Sequence, residues 1–226
     1  EHILSEPIHR NTAPSVAWAA HRIAMQNPEA CIVATPSDQA VFNEEAFCKD
    51  MLEGLHFVAD NSCFLSMGVK PTRPEPGYGY IQLGDSVGEG LYKVQSFTAK
   101  PERDFAKIFV DSGEFYWNTS LFLFNVKHLY NNFGHLLPSV LRGYDEKYPI
   151  FSVETENAYM KESFSSYPNI SVDFGILEKP SDVCVMKCDF GWADLGTWHS
   201  IYEAMQKSDD DNVVIDSDVM MENCHN

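Results

Sequence analysis

Beyond Asn11-Thr12, apolar residues fall at Val16, Ala20, Ile23 and Ala24, the spacing of a helix that buries one face. The Asn-Thr pair offers an N-cap, Pro14 is tolerated in the first turn, and Asn27-Pro28 ends the run. Cys31-Ile32-Val33-Ala34-Thr35 is then continuously apolar up to Pro36-Ser37-Asp38, which predicts a buried parallel strand with a polar residue at its carboxyl end. Phe47, Met51, Leu55, Val58 and Ala59 return to helical spacing, and Phe64–Val69 is the next apolar run. Helix, strand, helix, strand in alternation predicts an α/β fold with a doubly wound, mostly parallel, Rossmann-like sheet and flanking helices.

From Lys70 to Gly90 the pattern breaks up under Pro71, Pro74, Pro76, Gly77 and Gly79, so a long shaped loop is expected around the strand Tyr80–Leu83. Leu91–Phe97 reads as a strand, Asp104–Ser112 as a helix, Phe115–Val126 as a strand region, His128–Leu141 as a helix and Val183–Phe190 as an apolar strand. Ser208-Asp209-Asp210-Asp211 lacks the glycine and alternating oxygen ligands of a calcium loop and reads as a solvated linker. The expected division is one domain over residues 1–207, then an acidic linker and the opening of a further region over residues 208–226.

Composition narrows the function. With 226 residues, 44% of them hydrophobic and 13% aromatic, the chain can bury a sizeable core. Its longest apolar runs, Ser120–Val126 and Val183–Met186, fall far short of the roughly 18 residues that cross a bilayer. No basic and apolar leader follows Glu1, so a soluble, cytoplasmic protein without a membrane partner is expected. None of the cysteines at positions 31, 48, 63, 184, 188 and 224 forms a CxxC pair. Cys184 and Cys188 read as buried reduced thiols, and Cys224-His225 has no assigned role. A net charge of −17 argues against nucleic acid as the main partner, but not against a small polyanion held in a cleft with a divalent cation.

Three stretches carry candidate chemistry. Asp38 ends a strand within Thr35-Pro36-Ser37-Asp38, where a carboxylate can hold a divalent cation against phosphates or can simply serve a turn. Glu6-Pro7-Ile8-His9-Arg10-Asn11-Thr12-Ala13-Pro14 gathers Glu, Arg, Asn and Thr at a helix entry, suited to phosphate or polar base edges, or to plain capping. Gly191-Trp192-Ala193-Asp194-Leu195-Gly196-Thr197-Trp198 sets Asp194 after an apolar strand, as the cap of the following helix or as a second metal ligand beside Asp38.

Together with the K-P at Lys100-Pro101, the series EPxxRNTAP, TPSD, PExGYGYI (Pro74–Ile81), WN (Trp117-Asn118), SVDFGILEK (Ser171–Lys179) and GWADLGTW resembles the motifs of mannose-1-phosphate guanylyltransferases, in order over nearly the whole chain. The resemblance implies GTP and mannose 1-phosphate as substrates, GDP-mannose and pyrophosphate as products, and Mg²⁺ as cofactor. It further implies that Asp38 and Asp194 hold the Mg²⁺ and that Glu6, Arg10, Asn11, Thr12 and Asp38 face the nucleotide. Tyr78, Gly79, Lys100, Asn118 and Asp173 would then line the sugar-phosphate pocket, with Lys100 balancing the phosphate. A homodimer is compatible with this picture.

The chain also departs from the family pattern. Gln39 stands where the family shows His after PSD, Ala99 where a sugar-binding Glu precedes Lys-Pro, and Thr119-Ser120 where WN is followed by Ser-Gly. The Gly-rich GxGxRxxPxS segment and the left-handed β-helix that the resemblance implies are not among these residues, so the chain is expected to be part of a longer enzyme and to turn over poorly alone. A non-catalytic nucleotide-sugar-binding domain and a relative that uses another nucleotide or sugar 1-phosphate are the alternatives.

Overall fold

A computed structural model describes residues 3–141, 153–179 and 182–224. His225 and the last residues of the expected region 208–226 lie outside them; up to Cys224 that region carries turns and neither helix nor strand. The first helix, α1 (Thr12–Gln26), starts at Asn11, whose side chain accepts from the Thr12 amide, and ends at Asn27. Its buried stripe is Ala13, Pro14, Ala17, Trp18, Ala20 and His21, turned away from the expected Val16 and Ile23. Trp18 decides this: it is 1% exposed, and its indole N–H donates to Glu156 at 2.7 Å, so the largest ring on the helix sets which face goes inward.

After α1 come β1 (Cys31–Ala34), β2 (Gln39–Val41), α2 (Glu44–Asp60), β3 (Phe64–Val69), β4 (Gly79–Gly88), β5 (Leu91–Thr98) and α3 (Arg103–Ser112). The rest is β6 (Phe115–Asn125), α4 (Val126–Leu136), α5 (Val153–Ser163), β7 (Val183–Cys188), β8 (Trp192–Asp194) and α6 (Trp198–Ala204). A π-helical turn over Asp173–Leu177 precedes β7.

The large sheet has the order β1-β6-β3-β7-β5-β4, with β4 also pairing β6. It is mixed, which corrects the expectation of a mostly parallel sheet. β3 and β7 run parallel, whereas β1–β6, β3–β6, β5–β7, β4–β5 and β4–β6 are antiparallel. The physical reason lies in what a strand-helix-strand alternation constrains: it fixes that β1 and β3 point the same way, not that they touch. The long strand β6 enters between them in the opposite direction and pairs with both.

Period-2 alternation splits the core into two layers. Phe64, Phe122 and Phe124 face α1, α4 and the 160–177 segment, while Leu65, Met67, Leu121 and Leu123 face α2 and α3. Helices therefore cover both faces, as an α/β fold requires. Cys63, Cys184 and Cys188 are buried free thiols, as expected for Cys184 and Cys188. Among the described residues no helix is long and apolar enough to cross a membrane.

Candidate active site

Asp38 and Asp194 are brought together by a second, two-stranded sheet. β2 pairs antiparallel with β8, setting Gln39 opposite Asp194, and the Leu195 amide donates to the Asp38 carbonyl at 3.0 Å. A Cβ placed on Gly196 would lie 2.9 Å from Asp194 Oδ1 and 3.9 Å from Asp38 Oδ2, so both carboxylates flank a spot that only glycine keeps clear. Asp194 is not the cap of the following helix. Thr197 caps α6 in a reciprocal box with Ser200, and Asp194 Oδ1 accepts instead from the Gly196 amide at 2.8 Å. Two converging carboxylates repel unless a cation sits between them, and their hard oxygens suit Mg²⁺. Among the described residues no group of three or more His, Cys, Asp and Glu could hold a metal, so this pair would share an ion with oxygens of a ligand.

A cavity of about 200 Å³ has walls that include Gly79, Ala99, Lys100, Asn118, Asp173 and Glu178; neither Asp38 nor Asp194 lines it. A bulge shapes it. Between the Ser66↔Phe122 and Gly68↔Asn118 pairs, β6 carries extra residues, and Ser120 adopts a φ of 55°. The bulge is pinned by the Thr119 hydroxyl donating to the Met67 carbonyl at 2.8 Å and by the Ser120 amide donating to Asn118 Oδ1 at 3.0 Å. Asn118 Nδ2 donates in turn to Asp173 Oδ1 at 3.0 Å. Gly79 pairs with Asn118 across β4 and β6, and a Cβ there would meet that of Asn118 at 3.4 Å, an ordinary contact. Lys100 is held at a φ of 40°, a left-handed conformation that costs a non-glycine residue energy and so points to a functional demand.

The cavity thus offers one cation, two carboxylates and an amide, a set suited to a phosphorylated polyol. Burial, and then the Asp173 carboxylate, raise the Glu178 carboxyl above its ordinary range. Glu178 escaped the sequence reading because nothing in its spacing sets it apart within Ser171–Lys179. The Gln39 side chain joins the two halves of the site, donating from Nε2 to the Thr119 carbonyl of the bulge at 2.6 Å.

Tyr78 lies on another wall. Its ring packs edge-on against Trp117 and Trp192, each at 5.1 Å, and its hydroxyl donates to the Asp194 carbonyl at 3.4 Å. It borders a separate cavity of about 550 Å³ with Arg73, not the one lined by Gly79 and Lys100. The helix-entry residues are placed apart from both cavities. Glu6 accepts from the Ser15 hydroxyl, Arg10 donates to the Ser165 carbonyl, and Asn11 caps α1. Thr12 Oγ1 accepts from the Val172 amide at 2.9 Å, which ties this entry to the residue before Asp173.

The chain is similar to several known proteins. A family model described as Nucleotidyl transferase matches residues 1–211. Mannose-1-phosphate guanylyltransferase ManC of Salmonella typhimurium is 33% identical, over 94% of this chain and 46% of that protein. A mannose-1-phosphate guanylyltransferase of Sinorhizobium fredii is 32% identical, over 94% of this chain and 42% of that protein. The chain thus spans about half the length of the curated relatives it matches, at 46% and 42%. Among solved structures, one described as mannose-1-phosphate geranyltransferase from Thermus thermophilus superposes with a TM-score of 0.82 at 28% identity, over 94% of this chain and 60% of that one.

Proposed function

The chain belongs to the nucleotidyl transferase family, and from that premise we propose that it transfers GMP from GTP to mannose 1-phosphate, giving GDP-mannose and pyrophosphate. The relatives named above carry that activity in their names. The observation that supports it in this chain is the convergence of Asp38 and Asp194 on Gly196, with Gln39 of the same two-stranded sheet bonded to the bulge of β6 that holds Asn118 of the Lys100 cavity. In this reading Lys100 balances the charge of the sugar phosphate, while Asn118 and Asp173 take hydroxyls of the sugar. A phosphate oxygen of mannose 1-phosphate attacks the α-phosphorus of GTP, the bond to the bridging oxygen of the β-phosphate breaks, and pyrophosphate leaves. Asp38 and Asp194 would hold Mg²⁺, which supplies neutralisation of the charge on the nucleotide phosphates. Everything else asked of the protein is alignment, since a phosphate nucleophile needs no proton removed by a general base.

Incubating the full chain with GTP, mannose 1-phosphate and MgCl₂, and following pyrophosphate and GDP-mannose together, tests the proposal. Parallel reactions with ATP, UTP and glucose 1-phosphate report base and sugar choice. GDP-mannose formed slowly, and only with the first pair, is the expected result. Binding of GDP-mannose without any turnover would instead favour a nucleotide-sugar-binding domain.

A further inference from the structure

One buried carboxylate outside the site is bonded to the turn before β4 and to Arg73, and lies near α6. Glu75 is 8% exposed and sits in the turn that leads into β4. Its Oε1 accepts from the Gly77 amide at 3.0 Å, fixing the turn two residues before Gly79. Its Oε2 accepts from Arg73 Nη2 at 3.3 Å and lies 3.7 Å from Nε2 of His199 on α6. The Tyr80 hydroxyl accepts from the Glu75 amide at 3.0 Å and donates to the Glu75 carbonyl at 3.2 Å. Arg73, held by this carboxylate, lies over the rings of Trp117 and Tyr78 at 5.3 and 5.8 Å. Tyr78 in turn donates to the carbonyl of Asp194.

We infer that Glu75 is a positioning residue that couples the sugar-phosphate cavity to the Asp38–Asp194 pair. Two arms leave one side chain. Through Gly77 it sets where β4 places Gly79 against Asn118; through Arg73 and Tyr78 it sets the backbone from which the Asp194 carboxylate projects. A buried, multiply bonded carboxylate is an effective anchor because leaving any of its partners unmet is costly, so the arms shift together or not at all. The inference rests on the guanylyl-transfer reading for its kinetic consequence, but not for its effect on the carboxylate pair.

The test uses Glu75→Gln, which keeps an oxygen for the Gly77 amide but removes the charge that holds Arg73, together with Tyr78→Phe and the double variant. Mn²⁺ with inorganic triphosphate, whose oxygens complete the ion's coordination, is the probe, its binding read from water-proton relaxation, with Asp194→Asn as the reference for loss. Each single substitution is expected to weaken Mn²⁺ binding by roughly tenfold, in the range seen when groups that orient a metal's ligands are removed. The double variant should lose no more than the worse single one, because both act on one path. The metal-free unfolding temperature of Tyr78→Phe should stay near that of the unsubstituted protein. With GTP and mannose 1-phosphate, KM for the sugar phosphate and the Mg²⁺ requirement should rise together in Glu75→Gln. Unchanged Mn²⁺ affinity in both single variants, or losses that simply add, would overturn the inference whether or not the protein turns over. Failure of the unsubstituted protein to form GDP-mannose, with the Mn²⁺ effects present, would sink the proposed activity alone.

Discussion

The entry to α1 and the Asp38–Asp194 corner look alike in sequence and differ in structure. Both are short polar runs at the end of a regular element, rich in residues that cap helices or bind phosphate. At the α1 entry Glu6 is held by Ser15, Asn11 caps the helix, and Thr12 ties down the Val172 amide, while the Ala13 amide donates to the Ile170 carbonyl at 3.1 Å; Arg10 bonds the Ser165 carbonyl, though its Nε is buried without a partner. At the other corner the capping work passes to Thr197 and Ser200, and two carboxylates are left converging on a glycine. A polar cluster whose groups bond one another serves the fold; one that leaves carboxylates facing an open spot is free to meet a ligand. The difference lies in which groups are already partnered, and that is a property of tertiary contacts.

Substitutions at the two corners should therefore fail in opposite ways. The largest effect is expected from Asp194→Asn: pyrophosphate release should fall by about 10²–10³-fold, the usual cost of losing a group that acts on transition-state charge. Its unfolding temperature should stay near that of the unsubstituted protein, since Asn keeps an oxygen for the Gly196 amide. Near-normal turnover would mean that the pair is structural. Thr12→Val should do the reverse. It leaves the Val172 amide without its acceptor, at about 1–2 kcal/mol of stability, with KM for GTP unchanged. If KM for GTP instead rises with stability intact, the α1 entry faces the nucleotide as the family resemblance implies, and the contrast between the corners breaks down.

Much of this fold was legible because it rests on periodicity. α2, β3 and α3 sit where the spacing of Phe47, Met51 and Leu55, of Phe64–Val69, and of Asp104–Ser112 places them. Sheet order was not legible, because adjacency of β6 to β1 and β3 is settled by long-range packing and not by any local signal. In the site, Asp38, Gly79, Lys100, Asn118 and Asp173 could be named because each sits in a motif. The contributions of Gln39, Glu75 and Glu178 come from a contact across 80 residues to Thr119, from burial, and from a place on a cavity wall, in that order, and none of these has a local signal. The helix-entry residues show the limit from the other side: resemblance assigns Arg10 and Thr12 to the nucleotide, whereas their contacts here are to Ser165 and Val172.

Within the open corner, Ala99 offers a smaller and more specific test. It borders the cavity beside Lys100 and carries no polar group, so sugar hydroxyls on that side meet no acceptor from this position. Ala99→Glu should raise the ratio of kcat/KM for mannose 1-phosphate over glucose 1-phosphate by roughly fivefold, the value of about one added hydrogen bond. A ratio that does not move would show that residue 99 does not meet the sugar, and would leave discrimination to Asn118, Asp173 and Glu178.

The smallest effect expected is on Glu178, and it bears on whether the open corner is held open at a cost. Burial first, and the Asp173 carboxylate second, raise the Glu178 carboxyl above its ordinary value of 4.5. The folded state then binds that proton more tightly than the unfolded state does. The resulting stability is fully present below the ordinary carboxyl range and is lost as pH rises through the raised folded value. Glu178→Gln cannot ionise, so it escapes that loss. Its denaturation midpoint should exceed that of the unsubstituted protein at about pH 7, and the gain should shrink to nothing by about pH 3. Because Glu178 is exposed, solvent screens the interaction and the gain will be slight. A variant that gains stability at neutral pH while losing sugar discrimination would mark Glu178 as a residue kept for binding against the interest of the fold, the signature of the open corner. A variant that loses stability at neutral pH would place Glu178 with the satisfied contacts of the α1 entry instead.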